Sequence, residues 1–166
     1  MTRFEQFQQN VQRWATERGI YEHSTALAQA LKAVSEVGEL CDAVIKNDRD
    51  ALVDAIGDSA VTLINMARLA GESQFTDAEL DMGAPVNPLP QQIAAYVAYH
   101  TADMATDLVI GPELSRRDVC EALSGLVDVA KASGLDFDDC CESAWQTIKD
   151  RKGRMVAGGA FVKEGE

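Results

Sequence analysis

The sequence predicts an all-α protein that folds as a helical bundle. Apolar residues recur at intervals of three and four along most of the chain, and these stretches are separated by short runs of Gly, Pro, Asn and Asp. No set of alternating apolar and polar segments of the kind that builds a sheet is present. With 166 residues and 46% hydrophobic content the chain can bury a core, and we interpret residues 1–166 as a single domain.

Three helices are predicted in the first half of the chain. The first carries apolar residues at helical spacing and ends at Gly19. The second begins at a cap formed by Ser24 or Thr25 and ends at the polar break KNDRD. The third spans about 51–69 and is nearly continuously apolar in its second half, which predicts a central position in the bundle.

The second half begins with a stretch rich in helix-breaking residues, 71–90. Two helical stretches follow, roughly 91–109 and 115–133, and each has an apolar stripe, so we expect them to pack as a helical hairpin against the bundle or a second subunit. A last helix is predicted at about 137–151. The tail RMVAGGAFVKEGE has two short apolar pieces, which predict a small hairpin or an extended clasp.

Charge and composition restrict the partners. The net charge of −12 argues against nucleic acid and anionic membrane surfaces, because phosphates would be repelled, although a nucleotide escorted by a metal ion is compatible with it. No leader and no apolar run of the ~20 residues that span a membrane are present, so a cytoplasmic protein of a bacterium or a phage-infected host is expected, without membrane contact.

The cysteines give no zinc pattern. There are four of them and two histidines, without CxxC spacing, so we expect reduced thiols in the cytosol. In the adjacent pair Cys140 and Cys141, one side chain is expected in the core and the other at the surface, because consecutive helical positions point about 100° apart.

Two pairs of acidic residues are the most informative feature. Glu36 and Glu39 lie in SEVGEL, and Asp54 and Asp58 are the first and last residues of DAIGD on the next helix. Each pair is spaced three or four residues apart, so it projects from one helix face, where like charges repel unless a cation lies between them. The pattern predicts an oxygen-ligand site for Mg²⁺ or Mn²⁺, and the alternative is that these acids form solvated faces.

A family resemblance rests on three stretches, SEVGEL, DAIGDSAVTLINMA and WQTIKDRKGRMVAGGAFVKE. They resemble the MazG-like nucleotide pyrophosphohydrolases of the all-α NTP pyrophosphatase superfamily, in particular the short phage and bacterial type. The resemblance covers about 4–71 and 134–164, and it makes about 72–132 an insertion. It implies a bundle of the MazG-like four-helix type and a homo-oligomer, as dimer or tetramer.

The resemblance also implies roles for individual residues. Glu36, Glu39 and Asp58 match catalytic acids that bind metal in the family. The first acid of the family's second motif would fall on position 55, which is Ala55. Asp54 lies one step away, four residues before Asp58, and we expect it to substitute as a metal ligand or to act through water.

Substrate contacts are expected on three helices. Asn65 matches an asparagine that lies near the substrate in relatives, although it could be a satisfied buried amide. Lys32, one turn before Glu36, faces the same side as the ligands. Phosphate contacts are also expected from the basic cluster of the last helix, where the alternative is a favourable helix-dipole interaction: Lys149, Arg151, Lys152 and Arg154.

The expected function is metal-dependent hydrolysis of nucleoside triphosphates, in particular deoxynucleotides, to the monophosphate and pyrophosphate. In a two-metal site the cations neutralise the triphosphate and activate the attacking water. One alternative is an enzyme like phosphoribosyl-ATP pyrophosphohydrolase. The other is a catalytically inert helical interaction module, for which Ala55 would be the first sign.

Overall fold

The computed structural model describes residues 1–82 and 88–165, and in these ranges the chain is predominantly α-helical, as predicted. The helices are α1 Arg3–Glu17, α2 Ile20–His23, α3 Ala26–Lys46, α4 Arg49–Leu69, α5 Asp77–Leu80, α6 Pro90–Ile110, α7 Arg116–Ala132 and α8 Phe137–Ile148. The strands are β1 Gly153–Met155 and β2 Phe161–Lys163. None of the helices in the described ranges has the length and apolarity that a membrane crossing needs.

Helices α3 and α4 form a tight antiparallel pair. The Thr25 side chain accepts a hydrogen bond from the Ala28 amide at the start of α3. At the end of α3, Asn47 takes a left-handed conformation with φ of 51°, which asparagine tolerates better than most residues. Asp48 then caps α4 by accepting from the Ala51 amide. Because only two residues separate the helices, their acidic positions are brought opposite one another.

The second helical pair packs on the first, which confirms the predicted hairpin. Helix α6 lies against α3 and α7, and α7 also contacts α4. Gly125 of α7 is so close to Val97 of α6 that a Cβ at position 125 would overlap the valine side chain. The hairpin covers apolar faces of α3 and α4, and its fully enclosed side chains Met104, Leu123 and Leu126 belong to the same core as Leu40 and Leu63.

The C-terminal residues form the predicted small hairpin. Strands β1 and β2 are antiparallel, with Arg154 opposite Val162. The Ser24 hydroxyl donates a hydrogen bond of 2.7 Å to the Gly159 carbonyl, and Trp14 of α1 meets Phe161 edge-on, with ring centroids 5.7 Å apart. These contacts fix the hairpin against α1 and the start of α3.

A single arginine holds the segment between α4 and α5 against α7. The Arg116 guanidinium forms ion pairs with Glu72 at 2.9 Å and Glu79 at 2.8 Å. It also donates to two backbone carbonyls of this segment and lies 4.6 Å above the ring centroid of the buried Phe75. Hydrogen bonding to Arg116 is the main reason that the pKa of Glu79 is lowered to about 2.

The four cysteines are free thiols, and the expectation for the adjacent pair is wrong. Cys140 and Cys141 are both 1% exposed. Helix α8 is covered on two sides, by α1 and by α4, so that two neighbouring positions are enclosed together. Burial raises the pKa of Cys140 to about 11, whereas Cys41 is only half-buried.

Candidate active site

A cleft of about 640 Å³ brings the four predicted acids together. It lies between α3 and α4 and is closed by the end of α8 and by the C-terminal hairpin. The acids lie toward the α3–α4 turn, and an amide and aromatic end lies toward the start of α3. The cleft is lined by Trp14, Ile20, Ala28, Gln29, Lys32, Glu36, Glu39, Asp54, Asp58, Val61, Thr62, Asn65, Thr147, Ile148, Arg151, Ala160, Phe161 and Lys163.

On α3, the side chains of the predicted face point into the cleft. Glu36 is buried with 6% of its surface exposed, and Glu39 is exposed at the rim. The Lys32 ammonium is 2.5 Å from Oε1 of Glu36, one helical turn away. Lys32 therefore compensates the buried charge of Glu36, and it lines the same cleft, as the spacing predicted.

On α4, Asp54 and Asp58 line the cleft from successive turns, with Asp54 exposed and Asp58 half-buried. Burial, together with the nearby charges of Glu36 and Asp54, raises the pKa of Asp58 to about 6, although Arg151 and Lys32 act in the opposite direction. The Asp58 carboxylate is thus in a site of excess negative charge, which a bound cation would relieve.

Ala55 occupies a different face of α4. It is 4% exposed, belongs to the hydrophobic core and is not part of the cleft lining. An acid at position 55 would therefore be directed into the core of this protein. The carboxylate that accompanies Asp58 at the cleft is that of Asp54.

The donor set is chemically suited to Mg²⁺ or Mn²⁺, because carboxylate oxygens are the ligands that these ions prefer. In the side-chain conformations present, no three acidic, histidine or cysteine groups among the described residues are grouped closely enough to hold one ion. Glu36 is engaged with Lys32, whereas Glu39 and Asp54 are exposed and have rotational freedom. Ligation thus requires these side chains to turn inward.

The predicted basic cluster is divided by the end of α8. Arg151 lines the cleft, whereas Lys149, Lys152 and Arg154 are not part of its lining. The carbonyls of Lys149 and Arg151 accept hydrogen bonds from Arg18, which fixes this turn. Lys152 and Arg154 lie instead around a separate depression at the strands. The helix ends at Ile148, so helical spacing does not apply to the residues beyond it.

Sequence reasoning missed several residues of the cleft. Lys163 of β2 adds a cationic residue from the C-terminal hairpin to Lys32 and Arg151, and no local pattern marked it. Gln29 could have been found, since it lies three residues before Lys32 and seven before Glu36, on the same helix face. Trp14 and Phe161, which meet edge-on, form one wall.

Asn65 lies at the amide end of the cleft and is only 2% exposed. Its Oδ1 accepts a hydrogen bond of 2.7 Å from the Tyr21 hydroxyl. Burial raises the pKa of Tyr21 above its usual range, so the phenol stays protonated and can donate. The carboxamide nitrogen of Asn65 is then the group left for a ligand.

The fold and the site define an all-α bundle with an acid-lined cleft between two antiparallel helices. Comparison with known proteins adds one similarity, to an uncharacterized 18.2 kDa protein of the rep-hol intergenic region of Haemophilus phage HP1, with 38% identity over 68 residues. The match covers 41% of this chain and 42% of the phage protein, less than half of either. No protein-family model matches the chain, and no solved structure is significantly similar to it.

Proposed function

We propose that the protein is a metal-dependent nucleoside triphosphate pyrophosphohydrolase, with deoxynucleoside triphosphates as the preferred substrates. The observation that carries the proposal is that Glu36, Glu39, Asp54 and Asp58 line a single cleft together with cationic side chains. The cleft therefore combines oxygen ligands for divalent cations with groups that bind phosphate. The resemblance to MazG-like enzymes at the same acidic motifs supports it.

Each group of residues has a defined part in the reaction. The four carboxylates would hold Mg²⁺ or Mn²⁺, and the bound ions would neutralise the triphosphate and supply the activated water for attack at the α-phosphorus. Arg151, whose charge acts on Asp58, and Lys163 line the same cleft as the acids, and they are proposed to stabilise the negative charge that develops on the leaving pyrophosphate. Lys32 exchanges Glu36 for a phosphate oxygen when the substrate enters.

The proposal has two further parts. We infer a homo-oligomer, a dimer or tetramer, from the resemblance, and a cytoplasmic location from the cysteine pattern, which indicates reduced thiols. An enzyme like phosphoribosyl-ATP pyrophosphohydrolase remains the alternative within the same chemistry. The alternative of a catalytically inert interaction module was suggested by Ala55, which replaces an acid of the family motif. Ala55 is directed into the core, however, and Asp54 supplies a carboxylate at the cleft, so that argument no longer favours the inert module.

The test is pyrophosphate release from a panel of ribo- and deoxynucleoside triphosphates, including phosphoribosyl-ATP, with Mg²⁺, with Mn²⁺ and with excess EDTA. We expect release that needs the metal and disappears in Glu36→Gln and Asp58→Asn, which keep side-chain size while removing a ligand charge. Asp42→Asn is the matched control, because Asp42 is an exposed acid of α3 paired with Lys46 outside the cleft. Metal-independent release, or no release from any nucleotide, would refute the proposal.

A further inference from the structure

The amide end of the cleft contains a side chain whose orientation is imposed by its neighbours. We propose that Gln29 is a specificity-determining residue that accepts a hydrogen bond from an N–H group of the substrate's nucleobase, with Ser24 as its positioning residue. This inference rests on the proposed function, since it assigns the base subsite of the same nucleotide cleft.

A short hydrogen-bond chain fixes the Gln29 carboxamide. The Gly159 carbonyl can only accept, and the Ser24 hydroxyl donates its single proton to it at 2.7 Å. The Ser24 oxygen, 3.0 Å from Nε2 of Gln29, is then left as an acceptor, so the amide nitrogen of Gln29 must face it. A flipped carboxamide would place two acceptor oxygens against each other. The carboxamide oxygen is therefore directed away from Ser24.

This oxygen is available to a ligand. Gln29 is 6% exposed and lines the cleft, and among the described residues its Oε1 accepts no hydrogen bond. It is not among the fully enclosed side-chain atoms that lack a partner, which in the described ranges are Trp14 Nε1, Ser59 Oγ and His100 Nδ1. The oxygen thus reaches the open space of the cleft, and a ligand N–H that enters there finds an acceptor already oriented.

Asn65 presents the complementary group from the opposite helix. Because α3 and α4 are antiparallel, position 29 near the start of α3 lies opposite position 65 near the end of α4. Asn65 holds its oxygen against Tyr21, so it offers N–H donors to the cleft. A donor and an acceptor in the same end of the cleft suit a nucleobase, which carries both N–H groups and C=O or ring-nitrogen acceptors on its periphery.

The remaining walls suit a planar heterocycle. Trp14, Ile20 and Phe161 line this end, and the edge-on Trp14–Phe161 pair gives it an aromatic face. The acids lie at the other end, so a bound nucleotide has its phosphates at the metal ligands and its base between the amides. The Gly159 carbonyl that fixes Ser24 belongs to the C-terminal hairpin, and base selection therefore depends on that hairpin being in place.

The experiment measures binding without hydrolysis. The full chain in EDTA is titrated by calorimetry with the common nucleoside monophosphates and with 2-deoxyribose 5-phosphate, which has no base. The variants are Gln29→Met, which keeps side-chain length without the acceptor, and Ser24→Ala, which frees the Gln29 carboxamide to flip. The control is Gln6→Met, since the Gln6 side chain bonds to Asn10 on the same helix α1 and does not line the cleft.

We expect the wild type to bind at least one monophosphate about five-fold or more tighter than the abasic phosphate, as loss of a hydrogen bond to a buried group predicts. Gln29→Met should weaken binding of that monophosphate by about five-fold and leave the abasic phosphate unchanged, and Ser24→Ala should reduce the differences between bases. Unchanged preferences in both variants, or an equal loss for the abasic phosphate, would overturn the inference. If Gln29→Met does not fold, as judged by circular dichroism, Ser24→Ala decides alone.

The two proposals fail in different ways. Base-dependent binding in EDTA without pyrophosphate release in the nucleotide panel would refute the enzymatic proposal and keep the base subsite. Release that needs the metal, with binding that ignores the base, would refute the role of Gln29 alone.

Discussion

Gly57 of α4 and Cys140 of α8 are in backbone contact: a Cβ at position 57 would lie 2.6 Å from the Cys140 carbonyl oxygen and 2.6 Å from the Cβ of Ala144. This approach is possible because residue 57 is glycine. It brings the end of α8, and with it Arg151, to the wall of the cleft that faces Asp58.

Gly57→Ala is predicted to separate the two helices. The added methyl group must displace backbone, so we expect a loss of about 1–3 kcal/mol in the free energy of unfolding and lower activity, because Arg151 moves with α8. Gly38→Ala on α3 is the control, since nothing lies within 4 Å of its added Cβ and alanine favours helix by up to ~1 kcal/mol. Urea denaturation measures both. Equal stability of the two variants would contradict the contact.

Asp54 is predicted to supply the carboxylate that position 55 does not. Asp54→Asn should weaken Mg²⁺ binding by ~10- to 100-fold if the residue acts through water, and by more if it ligates directly. Ala55→Glu should not rescue that loss, and it should destabilise the fold because the new charge is directed into the core. Metal titration of the single and double variants decides, and rescue by Ala55→Glu would show that position 55 faces the metal.

Arg151 is predicted to carry the phosphate contact of the basic cluster. Arg151→Met should lower kcat/KM by about 10- to 100-fold, the range for loss of a hydrogen bond to a charged group. Lys152→Met changes the same charge at the next residue, which is not part of the cleft lining, and should retain wild-type kinetics. Steady-state kinetics at constant ionic strength give the comparison. Similar losses of kcat/KM in both variants would indicate that the positive charge of this region matters and that Arg151 makes no specific phosphate contact.

The Arg116–Glu79 ion pair is predicted to make the free energy of unfolding depend on pH in the acidic range. Since the pKa of Glu79 falls from 4.5 to about 2 on folding, the stabilisation is complete above about pH 4.5 and is lost as the pH falls through 2. The difference in urea midpoint between wild type and Arg116→Met should therefore shrink over that interval. Arg13→Met, at an exposed arginine of α1, should show no such trend. A constant difference for Arg116→Met would exclude the ion pair as its cause.

Helical periodicity was sufficient for much of this structure. It predicted the long helices α1, α3, α4, α6, α7 and α8, although not the single turns α2 and α5. It also predicted the common face of the four acids, because residues one turn apart in a helix share a direction whatever the tertiary structure. The metal and substrate roles of these residues stay predictions.

The rest of the cleft depends on contacts that spacing does not encode. Lys163 and Phe161 reach it because Ser24 bonds to Gly159, a contact between distant segments. The separation of Arg151 from Lys152 follows from where α8 ends, and element boundaries are the least predictable feature of a sequence. The joint burial of Cys140 and Cys141 likewise required both neighbours of α8 to be known.

The reactivity of the enclosed thiols of α8 measures how often this helix separates from the rest of the bundle. An alkylating reagent reacts with the thiolate, and Cys140 and Cys141 are both enclosed and have raised pKa values, so they are modified only after α8 has separated from its neighbours α1 and α4. The half-buried Cys41 of α3 is modified without that step. Mass spectrometry of the wild-type protein gives the labelling rates of the α8 thiols and of Cys41. Their ratio reports how often α8, which leads to Arg151 at the cleft wall, detaches from the acidic helices.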